Sequence, residues 1–195
     1  MALGGIIRGS KTVLRTPTED DLPTIARWMA DMRLRHAARA WHEPAMPATW
    51  KERFAEQTKD KGTVLWAIAA DAELVGLARV SWGWEPRRDT AHVEHFVIDP
   101  DRWHRGHGSD AARALHRYLF DYLDLRRVSV DLHGDNAYAL RIAARLGYTE
   151  YGRGHGAHYR NGGYVDGVML LMERATWDER WGAAHREYAP LESAG

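Results

Sequence analysis

The stretch Asp101-Arg-Trp-His-Arg-Gly-His-Gly-Ser-Asp110 packs two arginines, two histidines and two glycines into ten residues. Arg102 and Arg105 carry forked, permanently charged guanidinium groups suited to phosphate. Gly106 and Gly108 allow positive φ and let backbone N–H groups come close to an anion. A helix-like run follows, and its first turn adds unpaired amides and the positive end of its dipole. The chemistry implied is the binding of a phosphorylated ligand. The stretch lacks the Gly-x-x-x-x-Gly-Lys-Ser/Thr pattern, which excludes the nucleotide-hydrolysing P-loop. Ala111 stands where a dinucleotide fingerprint needs its third glycine, so that fingerprint is not supported. Just upstream, Ala91-His-Val-Glu-His-Phe-Val-Ile98 carries His92, Glu94 and His95. Strand alternation places His92, Glu94 and Phe96 on one face. His92, His95, His104 and His107 lie close in sequence. His92 and His95 fall on opposite strand faces, however, and no His-Glu-x-x-His helix exists, so no metal is expected.

These residues need elements to hold them. Residues 1–10 are Gly-rich and read as a frayed end. Thr12–Arg15 reads as a first strand. Thr18 and Asp21 form a capping-box pattern ahead of a helix with Leu22, Ile25 and Met29 on one face. Pro47 begins a second helix to Gln57. Val64–Ala70 and Glu73–Trp82 read as a hairpin across Asp71-Ala72. The next strand is about Ala91–Ile98. Ala111, Leu115, Tyr118, Leu119, Tyr122 and Leu123 recur at helical spacing and face a core. Val128–His133 reads as a strand. Asp135 or Asn136 caps the following helix and Gly147 ends it. Tyr148–His158 and Tyr164–Glu173 read as a hairpin about Asn161-Gly-Gly163, and a short last helix starts near Thr176. The predicted order is β-αα-βββ-α-β-α-ββ.

The chain has 195 residues, 45% of them hydrophobic, which suits one α/β domain with a substantial core. Its formal net charge is zero. Without a basic stripe, nucleic acid is not an expected partner. Lysine occurs only at Lys11, Lys51, Lys59 and Lys61, so arginine supplies most of the positive charge. The absence of cysteine excludes disulfides, thiolate metal sites and a cysteine-borne acyl intermediate. No apolar run approaches the ~20 residues of a membrane span, and no signal-peptide core opens the chain. A cytoplasmic, membrane-free protein is expected. Nine tryptophans ask for a role. Trp28, Trp41, Trp50 and Phe54 fall in the early helical region, with Trp82 and Trp84 further on. Core and rim packing is the commoner fate of such residues.

Arg105-Gly-His-Gly-Ser-Asp110 resembles the diphosphate loop of the GNAT acyl-CoA-dependent N-acyltransferases, Gln/Arg-x-x-Gly-x-Gly/Ala. Arg105 and Gly108 match; Asp110 departs at the final small position. Asn136-Ala-Tyr-Ala-Leu-Arg-Ile-Ala-Ala-Arg-Leu-Gly-Tyr148 is similar to the family's Asn-x-x-Ala/Ser…Leu-Gly-Phe signature. The two motifs lie in the right order, about thirty residues apart. Thr12–Pro23 and Tyr159–Asp166 resemble the Rim-type branch. The likeness runs over roughly residues 11 to 175, about the whole of one domain, with a helical extension from 176 to 195. It implies a GNAT fold: a central, mixed, mostly antiparallel sheet of six to seven strands with four to five flanking helices.

The resemblance also implies roles. Backbone amides of Arg105, Gly106, His107, Gly108, Ser109 and Asp110 bind the diphosphate of acetyl-CoA, with Arg102 nearby. The pantetheine arm lies between the strands holding Phe96, Val97 and Ile98 and Val128–His133, pairing like an added strand. The N–H of Val97 or Ile98 serves the oxyanion, and the Asn136 side chain meets the arm. Val93-Glu-His-Phe-Val-Ile98 resembles a strand of some aminoglycoside acetyltransferases in which the glutamate is the base. Glu94 is the favoured base, with His92 and His95 as rivals; the bland alternative pairs Glu94 with an arginine. The family's usual acids fall on Ala139 and Ala143, so neither carries over. Tyr138, Tyr148, water, or departure of an unassisted thiolate remain. Trp28, Trp41, Trp82 and Trp84 would line an acceptor pocket for a hydrophobic or cationic amine if they do not simply pack.

The function expected is direct acetyl transfer in a ternary complex to a small primary amine, such as an antibiotic, a polyamine or an amino-acid derivative. A protein N-terminal amine and a non-catalytic acyl-CoA-binding module are the alternatives, and the acyl length of the donor stays open. A homodimer is compatible with the resemblance.

Overall fold

The computed structural model describes residues 6–37, 47–57, 62–82, 89–123 and 125–185. Strands β1 (Ile7–Arg8) and β2 (Val13–Arg15) come first. Helices α1 (Leu22–Ala30), α2 (Met32–Ala37) and α3 (Pro47–Gln57) follow. Then come β3 (Thr63–Ala70), β4 (Glu73–Trp82), β5 (Thr90–Ile98) and α4 (His107–Arg117), which continues as a π turn over Tyr118–Tyr122. The chain closes with β6 (Arg127–His133), α5 (Ala137–Leu146), β7 (Thr149–Arg160), β8 (Gly163–Glu173) and α6 (Arg174–His185). All eight strands form one mixed sheet in the order β1-β2-β3-β4-β5-β6-β8-β7.

The strand count exceeds the expected six to seven through β1. Residues 7–10 are not a frayed end. Ile7 and Arg8 pair with Leu14 and Val13, and Ile7 is buried. The expected boundary at 175 falls inside α6, whose Trp177 is 1% exposed in the main core. The Asp71-Ala72 turn has φ of 50° and 66°, and the second hairpin turns at Asn161-Gly162 with φ of 49° and 82°. Positive φ at both central residues is the type I′ geometry that matches strand twist. Asp21 accepts from the Thr18 N–H (2.8 Å) as the capping-box pattern predicts, and it also binds the Arg15 guanidinium at 2.8 Å through both oxygens.

The two faces of the sheet differ. On one, Trp66, Ala78, Val80, Ala91, Val93 and Val128 pack against Leu115 of α4, Leu146 of α5 and Trp177 of α6. On the other, Leu77 and Val97 pack on Ile25, Trp28, Met29 and Leu34. Among the described residues no helix is long and apolar enough to cross a membrane.

Candidate active site

β5 and β6 run parallel and pair only from Thr90–Val93 to Arg127–Val130. Beyond Val93 and Val130 the strands part, so the edges of Glu94–Ile98 and Asp131–His133 that face each other stay open. A bulge sits at the same place. The β4–β5 register passes from Arg79 opposite His95 to Val80 opposite Val93, leaving Glu94 as the extra residue. A bulge reverses side-chain alternation. Val93 therefore shares the main-core face with Phe96 and Ile98, while Val97 turns to the α1 face. His92, Glu94 and Phe96 do not share a face as simple alternation predicts.

The split opens into two adjoining cavities. The inner one, about 130 Å³, is lined by Glu94, His95, Asp131, His133, Ala143 and Tyr148 among others. The outer one, about 270 Å³, runs from Phe96, Val97 and Ile98 past Arg102 and His104 to Gly106, His107, Gly108 and Tyr138. Phe96, Asn136, Ala139 and Ile142 line both.

At the outer end, α4 begins at His107, four residues earlier than its apolar periodicity alone indicates. Gly106 is its N-cap with φ of 85°, a left-handed conformation that favours glycine. The amides of His107, Gly108 and Ser109 have no helical carbonyl to bond. The Asp110 N–H does: it donates to the Gly106 carbonyl at 3.1 Å. The Asp110 amide, expected to face the diphosphate, is thus already bonded within the helix. The Asp110 carboxylate turns away from the cavity into the turn after β1, accepting from Ser10 N (3.0 Å), Lys11 N (2.9 Å), Thr12 N (2.9 Å) and both the Ser10 and Thr12 hydroxyls. Burial pushes this carboxyl up, but those hydrogen bonds outweigh burial and hold it below its ordinary value.

The same turn brings in a cation that sequence reasoning missed. Lys11 Nζ donates to the Arg105 carbonyl at 3.4 Å, and a Cβ on Gly106 would lie 3.2 Å from it. Lys11 and the loop are 94 residues apart in sequence. The available signal was Asp110, an acid where the family pattern wants a small residue. Arg102 pairs with Glu73, and Arg105 reaches the Asp101 carbonyl at 3.3 Å while staying exposed. Ser109 is half-buried and lines neither cavity.

At the inner end, Glu94 is ion-paired with Arg79 at 2.9 Å. His92 Nδ1 lies 2.9 Å from the Ser129 hydroxyl, which donates to the Ala91 carbonyl at 3.3 Å. Nδ1 of His92 is thus engaged by Ser129 on the strand across the pairing. Asn136 caps α5, its side chain accepting from the Ala139 N–H at 3.1 Å. Tyr138 stands at the outer cavity, edge-on to His104, apart from Glu94 and His95. The Tyr148 hydroxyl is buried and donates to His116 Nε2 at 2.6 Å. Burial pushes this phenol up, which disfavours its anion and makes it a poor acid.

Of the four tryptophans expected at an acceptor pocket, Trp28 is a core residue, 2% exposed against Leu77 and Val97. Trp82 packs half-buried on the main core. Trp41 and Trp84 lie outside the described residues, as do the side chains of Trp50 and Phe54.

Comparison with known proteins agrees with this geometry. Residues 11–149 match the family model described as an acetyltransferase (GNAT) domain. The chain is 32% identical over 123 residues to the L-amino acid N-acetyltransferase AaaT of Escherichia coli (strain K12), covering 62% of this chain and 73% of that one. The fold is shared with RimL, a ribosomal alpha-N-protein acetyltransferase in complex with coenzyme A. That likeness has a TM-score of 0.76 at 19% identity, over 87% of this chain and 98% of that one. It is also shared with spermidine N-acetyltransferase from Vibrio cholerae in complex with CoA and spermine, at TM-score 0.76 and 18% identity, over 86% and 98% of the two chains. Split sheet, amide-rich loop and family match coincide on one region, and the chain belongs to the GNAT acetyltransferase family.

Proposed function

We propose that this protein transfers the acetyl group of acetyl-CoA directly to a primary amine of a small molecule, both substrates being bound at once. The observation that carries the reading is the continuity of the groove. The first-turn amides of His107 and Gly108 stand at its outer end, and Glu94 stands at its inner end. The fit to the donor rests on three features: the left-handed Gly106, the space above Gly108, and the open edges of β5 and β6. A Cβ on Gly108 would already touch Ile98 at 3.5 Å and Ile142 at 3.9 Å, so the wall there admits a methyl and nothing bulkier without entering the cavity. Amides of α4, with Lys11 and Arg105 beside them, hold the diphosphate. The open edge at Phe96–Ile98 and the Asn136 side chain hold the pantetheine arm.

Acetyl-CoA, when bound, supplies an activated carbonyl carbon and a thiolate that departs. The chain's part is orientation and proton transfer. The N–H of Val97 or Ile98 meets the negative charge that develops on the carbonyl oxygen. Glu94 takes a proton from the incoming ammonium, directly or through water; His92 is the rival base. A C–N bond forms, the C–S bond breaks, and the nitrogen gives its second proton to water. No tyrosine stands at Ala143, and the sulfur takes its proton from water.

Calorimetry tests the first half. Wild type should bind acetyl-CoA and CoA at micromolar Kd, and Gly108→Trp, whose indole must enter the outer cavity, should lose both. Absence of binding in the wild type overturns the reading. For the second half, Glu94→Gln should lower kcat about 100-fold with unchanged acetyl-CoA affinity. A full kcat in that variant transfers the role to His92.

A further inference from the structure

The face of the sheet that packs on α1 is apolar at Leu77 and Val97 and becomes polar at its centre. Ala78, Val80, Ala91, Val93 and Val128 belong to the main core on the opposite face. Alternation therefore turns Arg79, Ser81, His92 and Ser129 to the α1 side. All four are half-buried. The Arg79–Glu94 pair lies among them, with side chains 20% and 26% exposed. Glu94 also lines the inner cavity, immediately after the last rung of β5–β6 pairing.

An ion pair drawn this far from water gains little for stability, because desolvation offsets most of the attraction. This pair is also incomplete. Arg79 Nε is buried and has no hydrogen-bond partner among the described residues. A guanidinium presents its donors in a planar fork, and a carboxylate fills two of them at once. The fork here is engaged through Nη1 by Glu94, and Nε is left unfilled. Arg79 thus keeps a donor unused beside its bond to Glu94, and Glu94 can exchange the guanidinium for another cation.

We propose that the acceptor is an α-amino acid, or another amine with a carboxylate on the adjacent carbon. Arg79 receives its carboxylate and Glu94 its ammonium. One ion pair opens and two form. The pair is placed for this exchange: Glu94 lines the inner cavity and Arg79 is in direct contact with it at 2.9 Å. A polyamine would bring a second cation towards Arg79 and meet repulsion. A protein N-terminus would offer an uncharged amide where the carboxylate belongs. The inference rests on the proposed acetyl transfer at the β5–β6 split, since only a thioester there gives the captured amine something to attack.

The test measures kcat/KM with acetyl-CoA for a panel of L-amino acids, their carboxamides, the matching decarboxylated amines and spermidine. Wild type should prefer at least one free acid over its own amide by about 100-fold or more, because the amide leaves a buried cation unpaired. In Arg79→Gln that ratio should fall to about one through a higher KM for the acid, and Arg79→Lys should restore part of it. Equal use of acid and amide by wild type, or preference for spermidine, overturns the proposal. So does an Arg79→Gln enzyme that keeps the ratio. If that variant does not fold, the wild-type ratio decides alone. Calorimetry separates the deeper failure: a wild type that binds no acetyl-CoA overturns the transfer reading itself.

Discussion

At the scale of single residues, the site is built from groups whose surroundings decide their chemistry. Glu94 was legible as the carboxylate on the strand before the loop, with His92 and His95 as rivals; its engagement with Arg79 was one of two outcomes its type allowed. His116 was not legible at all. It sits in a helix with no motif around it, yet it lies behind the inner cavity, fully buried, with Nδ1 donating to the Ala112 carbonyl at 2.7 Å and Nε2 accepting from Tyr148. Burial lowers its pKa from 6.5 to about 4, against the partial support of the Ala112 carbonyl. The folded chain therefore keeps His116 neutral where the unfolded chain protonates it. Its contribution is fully present above pH 6.5 and is lost as pH falls towards 4, a change of roughly 3 kcal/mol. Chemical denaturation of wild type and His116→Gln from pH 7 to 4 should show a steeper loss in the wild type. Equal slopes would assign the acid sensitivity elsewhere.

At the scale of elements, local signals explain the helices and turns, and long-range contacts explain the site. Asn136 and Gly147 bracket α5 as their types predict, with Gly147 at φ 116°. The bulge at Glu94 left no mark in the sequence, because it depends on the register β5 adopts against β4. The split between β5 and β6 is likewise a matter of pairing, and Val93 and Val130 look no different from the residues beyond them. Asp110 joins the two levels. Its carboxylate ties the β1–β2 turn to α4 and thereby fixes Lys11 beside the Arg105–Gly108 loop. A charged acceptor with several donors is strongly held, and its removal leaves those donors unpaired. Asp110→Ala should cost about 3 kcal/mol or more in denaturant unfolding. It should also weaken CoA binding beyond Lys11→Met alone, since it frees the whole turn. A stability loss with unchanged affinity would make the staple purely structural. Protonation acts in the same direction: this carboxyl is held low, so its share of stability disappears as pH falls below the ordinary carboxylate value of 3.8.

At the scale of the whole molecule, the main core links the sheet, the cofactor-side helices and the last helix. Trp177 of α6 stacks on Phe120 at 5.5 Å between ring centroids and donates from Nε1 to Asp121 at 3.2 Å. His116 lies 6.2 Å from the same indole, so α6 supports the wall behind the inner cavity. Trp177→Ala should cost roughly 3–5 kcal/mol, as expected for a large aromatic removed from a close-packed core. Thermal unfolding would read it, and an unchanged midpoint would show α6 to be an appendage. The sequence by itself determined the order of the elements other than β1 and α2, the glycine-rich entry to α4 and the family. Those follow from periodicity, glycine and capping chemistry, which act over a few residues. Only the tertiary structure decided that Trp28 packs in the core, that Asp110 faces away from the ligand loop, that Lys11 faces it, and that Glu94 meets Arg79. Each of these depends on which strands pair and in what register, and the pairing free energy is shared across residues far apart in the chain.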